Sequence, residues 1–277
     1  MNFFKPIKLG NHELRFDRTI IMGVLNVTPD SFSDGNLFFD AHKAVEHAKQ
    51  MINEGVDIID VGGESTRPGS EPVAEKEELR RVKPVIEQLL KETDAIISID
   101  TYKPGVAEEC LKIGAHILND VTGLNSKKMM AIVKKYNVPV IIMHMKGKPK
   151  SMQKNPKYND AVNEIKLLLK KRILAAKKFG IKDIFIDPGI GFGKTTQHNL
   201  QILKRLNEFS ELKCPIVIGT SRKSFIGSVT GLPVHERLEG TIASISIAII
   251  NGANVVRVHD VKECKRAVQI ADVINGA

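Results

Sequence analysis

The sequence predicts a (β/α)8 TIM barrel, a single domain over residues 1–277 with a short N-terminal β-hairpin. Three observations predict it. Eight short runs recur along the chain, rich in Val and Ile and apolar on both faces, as parallel strands covered on both sides require. Amphipathic helical patterns alternate with those runs. All eight runs finish on polar side chains, and no shift of composition divides the chain. A doubly wound sheet is the alternative arrangement of the same units.

The elements follow in order. Residues 1–18 precede the first strand. The turn signal Leu9-Gly10-Asn11 between short apolar stretches predicts a hairpin, set as a plug across the bottom of the barrel. The strands are TIIMGVLN (19–26), VDIIDVGGES (56–65), AIISID (95–100), HILND (116–120), PVIIMH (139–144), DIFID (183–187), PIVIGTS (215–221) and VVRVHD (255–260). Between them, Val45, Ala48, Met51 and Ile52 mark one helix face, and Leu79, Val82, Val85, Ile86 and Leu89 the next. Later helices are marked by Val106, Cys110 and Ile113, then by Ile132, Val133 and Tyr136. Ile165, Leu168, Leu169, Ile173 and Ala176 mark a long one, followed by Leu200, Leu203 and Leu206. TIASISIAII (241–250) is apolar nearly all round, which predicts burial or a subunit contact. Cys264, Ala267, Val268, Ala271 and Ile274 close the chain. Gly55, Gly114, Gly180 and Gly252 read as C-terminal caps. Asp40, Thr101 and Asp260 read as N-terminal caps, the last within a capping box ending at Glu263.

Composition narrows the function. The chain is 42% hydrophobic and 26% charged, and no apolar run approaches the roughly 20 residues of a membrane span. The start, MNFFKPIKLG, lacks a signal-peptide core. Cys110, Cys214 and Cys264 form no CxxC pair, so a reduced, cytoplasmic protein without disulfides is expected. The net charge of +9 invites a nucleic-acid reading. Much of it lies in KLLLKKRILAAKK and KKMMAIVKK, where lysines alternate with apolar residues as on a solvated helix face. With no Trp and three Tyr, there is little to stack on bases. A preference for small anionic ligands is the better inference.

The stretch IFIDPGIGFGKTTQ (184–197) looks like a phosphate-binding loop. A P-loop needs glycine five residues before Gly193-Lys194, where this chain has Pro188, which carries no N–H. The dinucleotide pattern fails too, because position 194 is Lys. What survives is a strand ending on Asp187.

The strand ends carry the chemistry. Asn26, Glu64 with Ser65, Asp100, Asn119, His144, Asp187, Ser221 with Arg222 and Lys223, and Arg257 with His259 should all meet at one face of a closed barrel. Asp100, Asn119 and Asp187 make an acceptor-rich cluster suited to a ring edge with adjacent N–H donors. Lys223 can donate to a carbonyl or ring nitrogen. Arg257 and His259 point to one side of the last strand and suit a phosphate. Asn26 offers a neutral oxygen for Mg²⁺ when the ligand's phosphates complete the shell. The eight histidines include no i, i+4 pair and the cysteines no cluster, which argues against zinc. No G-x-S-x-G elbow appears. TPDSFSDGN (28–36) and GGESTRPGS (62–70) are longer than minimal βα turns and read as mobile lids that exclude water.

Seven stretches, MGVLNVTPDSFSDG, DIIDVGGESTRPG, ISIDT, ILNDVTG, DPGIGFGKT, GTSRKSFIG and VVRVHD, resemble the dihydropteroate synthase family in its order. The resemblance implies condensation of a dihydropterin methyl diphosphate with 4-aminobenzoate, with Mg²⁺, at a site where sulfonamides compete; the TIASISIAII helix suggests a homodimer. It assigns Asp100, Asn119, Asp187 and Lys223 to the pterin, and Thr66, Arg257 and His259 to the substrate and its pyrophosphate. It makes Asn26 the metal ligand, assisted by Asp34. Phe32, Arg67, Pro68 and Ser224 shape the aminobenzoate site, with Asp34, Arg67 and Lys223 acting in catalysis. The rival in the same fold is a pterin-dependent methyltransferase acting on a corrinoid protein. GGESTRPG, SRK and RVHD argue against that rival, because its chemistry handles no pyrophosphate.

Overall fold

The computed structural model describes residues 4–28, 37–65, 69–147 and 149–276. Two short antiparallel strands, β1 (Ile7–Leu9) and β2 (His12–Leu14), form the predicted hairpin. The chain then alternates: β3 (Ile20–Asn26), α1 (Leu37–Glu54), β4 (Ile58–Gly62), α2 (Glu75–Glu92), β5 (Ile96–Asp100) and α3 (Pro104–Lys112). Next come β6 (Ile117–Asp120), α4 (Lys127–Tyr136), β7 (Val140–Met143), α5 (Ala161–Phe179), β8 (Ile184–Asp187) and α6 (Thr196–Lys204). The last units are β9 (Val217–Ile218), α7 (Ser224–Thr230), α8 (Leu238–Ile250), β10 (Val255–Val258) and α9 (Val261–Gly276). Strands β3 to β10 form one parallel sheet in the order β8-β7-β6-β5-β4-β3-β10-β9, and a bridge between Ile186 and Ile216 closes it into the expected barrel.

The strand period of two divides the barrel into layers. At the N-terminal ends the inward residues are apolar. Met22, Ile58, Ile117, Ile141, Phe185, Val217 and Val255 are buried there against Ile7, Leu9, Leu14 and Phe16 of the hairpin region, so the hairpin plugs the bottom as expected. Two residues further along the same faces the side chains turn polar: Asp60 follows Ile58, Asn119 follows Ile117, Asp187 follows Phe185 and Arg257 follows Val255. The outward faces of the strands and the inner faces of the helices make the second, larger core. It includes Val82, Val85, Ile86 and Leu89 of α2 and Ile165, Leu169 and Ile173 of α5.

Several sequence expectations needed correction. The seventh unit carries an additional short helix, α7, and its strand is only two residues long because the chain leaves the sheet at Gly219. Helix α1 begins at Leu37, so residue 40 lies inside it rather than at the N-cap position. The N-cap of α3 is Lys103; Thr101 instead accepts the Lys103 N–H at 3.1 Å, a local turn before the helix. Asp260 stands directly before α9 as expected, but its carboxylate accepts the Arg222 guanidinium, from Nε at 2.9 Å, rather than closing a capping box. The glycine caps are as expected, with φ of 91° at Gly55, 117° at Gly114, 94° at Gly180 and 98° at Gly252. Among the described residues no helix is long and apolar enough to cross a membrane.

Candidate active site

The parallel register lines up the C-terminal strand ends in a row, pairing Asn26 with Gly62, Gly62 with Asp100, and Asp100 with Asn119. Above this row lies a cavity of about 400 Å³ lined by Asn26, Asp100, Lys223, Ser224, Arg257 and His259 among others. It exceeds a 280 Å³ hollow on the opposite, N-terminal side of the barrel. With Glu64, Ser65, Ser221 and Arg222, which line it too, ten of the residues expected from the sequence therefore share one recess. Asn119 and Asp187 lie deeper, 5% and 7% exposed, and join the lining through hydrogen bonds and charge. Phe32, Asp34, Thr66, Arg67 and Pro68, with 29–36 of the first expected lid and 66–68 of the second, lie outside the described residues.

An ion network beneath the cavity holds the acceptors. Arg257 donates from Nε to Asp60 at 2.6 Å and from Nη2 to Asp100 at 2.8 Å, bridging carboxylates on neighbouring strands. The same oxygen of Asp60 accepts Asn119 Nδ2 at 3.0 Å. A carboxylate only accepts, so Asp60 fixes the amide with its NH₂ inward and leaves Asn119 Oδ1 as the free-facing acceptor. The second oxygens of Asp60 and Asp100 are buried with no hydrogen-bond partner among the described residues. Such atoms are costly unless a donor reaches them, which marks this floor as built for one.

Asp187 accepts the Gly189 N–H at 2.6 Å, and burial raises its pKa against the opposing pull of Lys223. Burial likewise pushes Asp100 up to about 7, although Arg257 draws it down. Lys223 is pulled down to about 8, again by burial, with Asp187 opposing. Its amine binds the Ile190 carbonyl and sits 4.6 Å from the centre of the Phe192 ring. On the other side of the recess, Ser221 Oγ lies 3.0 Å from His259 Nδ1 and orients the imidazole.

The glycine-rich turn is not a phosphate cradle. Gly189 and Gly193 have φ of 71° and 65°. A Cβ at these positions would sit 1.9 Å from the His144 carbonyl oxygen and 2.1 Å from that of Lys146, so only glycine fits. Thr195 caps α6, accepting the His198 N–H at 3.2 Å within a capping box. His144 is a packed residue, 2.9 Å from Lys194 Nζ.

Sequence reasoning missed Asp60, which is fully buried in the middle of β4. Its signal was a carboxylate in the run Ile58-Ile59-Asp60-Val61, in phase with the inward faces. It also assigned no role to Glu64. That carboxylate accepts Tyr102 Oη at 2.8 Å and the Val73 N–H at 2.9 Å, and Lys103 bridges it to Glu78. Glu64 thus pins the far end of the loop that leaves β4.

Comparison with known proteins agrees with this geometry. A family model described as "Pterin binding enzyme" matches residues 22–259. Dihydropteroate synthase of Clostridium beijerinckii is 49% identical over 273 residues, covering 97% of this chain and 99% of that one. Yersinia pestis dihydropteroate synthase, solved with a sulfonamide drug, superposes with a TM-score of 0.93 at 40% identity, covering 99% and 100% of the two chains. The Xanthomonas albilineans enzyme in complex with 7,8-dihydropteroate superposes with a TM-score of 0.89 at 38% identity, again covering 99% and 100%. These relatives do not favour the corrinoid methyltransferase alternative. The chain belongs to the dihydropteroate synthase family of pterin-binding enzymes.

Proposed function

We infer that the chain condenses (7,8-dihydropterin-6-yl)methyl diphosphate with 4-aminobenzoate, giving 7,8-dihydropteroate and pyrophosphate in folate synthesis. One observation carries the reading: the wall of the recess holds Asp100, one of whose buried oxygens has no donor among the described residues, together with the cationic groups Arg257 and Lys223. A dihydropterin edge presents adjacent N–H donors to Asp100, Asn119 and Asp187, while Lys223 donates to the ring. Arg257 and His259 face the diphosphate. The bond between the methylene and the diphosphate oxygen breaks, charge collects on the phosphate oxygens, and a carbocation-like methylene remains. The arylamine nitrogen then forms the new C–N bond and afterwards loses its proton. The protein's part is to stabilise the departing charge, align the amine and exclude water.

No protein nucleophile is needed. Cys110, Cys214 and Cys264 are all buried, and burial pushes the Cys110 and Cys264 thiols up to about 12. Ser224 and Phe192 border the recess where the amine would approach. The contributions of Phe32, Asp34, Thr66, Arg67 and Pro68 rest on the family resemblance.

Magnesium fits the donor set in one way. Among the described residues no three His, Cys, Asp or Glu groups gather to hold an ion. Asn26 supplies a single neutral oxygen on the cavity wall, so diphosphate and water oxygens must complete the shell. Bound there, the ion would stabilise the leaving diphosphate as a Lewis acid.

Incubation with the pterin diphosphate, Mg²⁺ and a panel of arylamines tests the reaction. Pyrophosphate release together with a dihydropteroate mass is the expected result. No release with any amine defeats the reading.

The shifted groups set a pH dependence. Protonation removes the charge of Asp100 and turns one of its acceptor oxygens into a donor, so pterin affinity is expected to fall as pH drops through about 7. Lys223 loses its charge as pH rises through about 8, which weakens its donated bond. Affinity should peak between these values in a calorimetric series. A flat profile down to pH 5 would show that Asp100 enters ionised.

The enzyme is also proposed to be a cytoplasmic homodimer. Helices α8 and α9 pack together and leave Ile247, Ile250, Ile270, Val273 and Ile274 exposed, Val273 by 72%. Exposed large apolar side chains gathered on two packed helices support an interface there. Val273→Glu combined with Ile247→Glu should halve the mass found by light scattering. A monomeric wild-type chain at micromolar concentration refutes the dimer.

A further inference from the structure

The turn 189–193 has a feature that phosphate binding does not explain: each of its five carbonyls receives a side-chain donor. Lys194 Nζ donates to Gly189 O at 2.7 Å and to Phe192 O at 3.0 Å. Lys223 donates to Ile190 O, Gln153 Nε2 to Gly191 O at 2.6 Å and Tyr158 Oη to Gly193 O at 2.9 Å. Lys194 is only 3% exposed, and its amine also meets His144 Nδ1 at 2.9 Å. One buried amine thus gathers both ends of the turn and ties them to the end of β7. A lysine so deeply buried is uncommon unless its donors are matched, and here they are.

The turn in turn seats Lys223. Its amine rests on Ile190 O and near the Phe192 ring. Its aliphatic stem passes over Gly191, where a Cβ would stand 3.1 Å from Lys223 Cδ. A shift of the turn therefore moves the seat of Lys223.

We propose that Lys194 is a positioning residue for the heterocycle half of the site, its buried amine shaping the 189–193 turn so that Ile190 and Phe192 hold Lys223 in place for the pterin ring. This rests on the reading of the site given above. Among the described residues the Lys194 amine bonds to His144, Gly189 and Phe192, none of them assigned to the diphosphate, so the diphosphate half should not depend on it. That separation distinguishes positioning from a general loss of packing.

The test uses the full chain and calorimetry with two probes, the dihydropterin and magnesium pyrophosphate. Lys194→Met should weaken pterin binding about tenfold or more, the scale of a lost buried donor, and leave pyrophosphate binding unchanged. His144→Leu, which removes the Nδ1 acceptor, should move pterin binding the same way by less, and His144→Gln should recover part of the loss. This pair decides the matter if Lys194→Met does not fold. Wild-type pterin affinity in Lys194→Met, or a parallel loss of pterin and pyrophosphate binding, overturns the proposal alone. A wild-type chain that binds no pterin overturns both this and the reading of the site.

Discussion

Arg257→Met will cost the protein both stability and activity. The guanidinium bridges Asp60 and Asp100, and its removal leaves two buried carboxylates without their cation. Breaking a buried ion pair from one side typically destabilises by about 3–5 kcal/mol. In a chain of this size that amounts to a fall in Tm of roughly 10 °C. Arg257 also draws the pKa of Asp100 down, so without it Asp100 will hold a proton through the neutral range and lose its acceptor character. Two charge-assisted contacts are lost from the site at once, and kcat/KM should drop by about a hundredfold or more. Arg257→Lys keeps a charge but lacks the planar fork that spans both carboxylates, so it should recover only part of each loss. A methionine variant with wild-type melting and turnover would remove Arg257 from the account of the site.

Asp187→Asn separates charge from shape. The amide oxygen can still accept the Gly189 N–H that Asp187 holds at 2.6 Å, so the turn and the melting temperature should change little. What is lost is the negative charge that supports Lys223 and faces the ring edge. Pterin binding should weaken by about 1.5–3 kcal/mol, the scale of a hydrogen bond to a charged partner. Pyrophosphate affinity, which depends on the opposite wall of the recess, should be preserved. Unchanged pterin affinity by calorimetry would refute the role given to Asp187.

The chain order of strands and helices was legible because each element satisfies its own local rule. Runs such as TIIMGVLN are apolar on both faces because both faces are covered, and Gly55, Gly114, Gly180 and Gly252 stop helices where a left-handed residue is needed. The convergence of Asp100, Lys223, Arg257 and His259 followed once closure of the barrel was assumed, since closure brings every strand end to one face. The N-terminal caps were less legible. Asp260 and Thr101 have the right residue types, but a distant arginine and a local turn claimed their oxygens.

By itself the sequence determined the barrel, the plug at its base and the set of polar groups at its mouth, because these depend on residue type and period. Only the tertiary structure decided how those groups are used. Asp60 looks like one odd charge in an apolar strand until Asn119 and Arg257, from elsewhere in the chain, both close on its oxygen. Lys194 looks like part of a nucleotide loop until burial surrounds its amine with carbonyls. Hydrogen bonds between side chains far apart in sequence have no local signature. They exist only after packing has removed water and left each buried donor to find an acceptor.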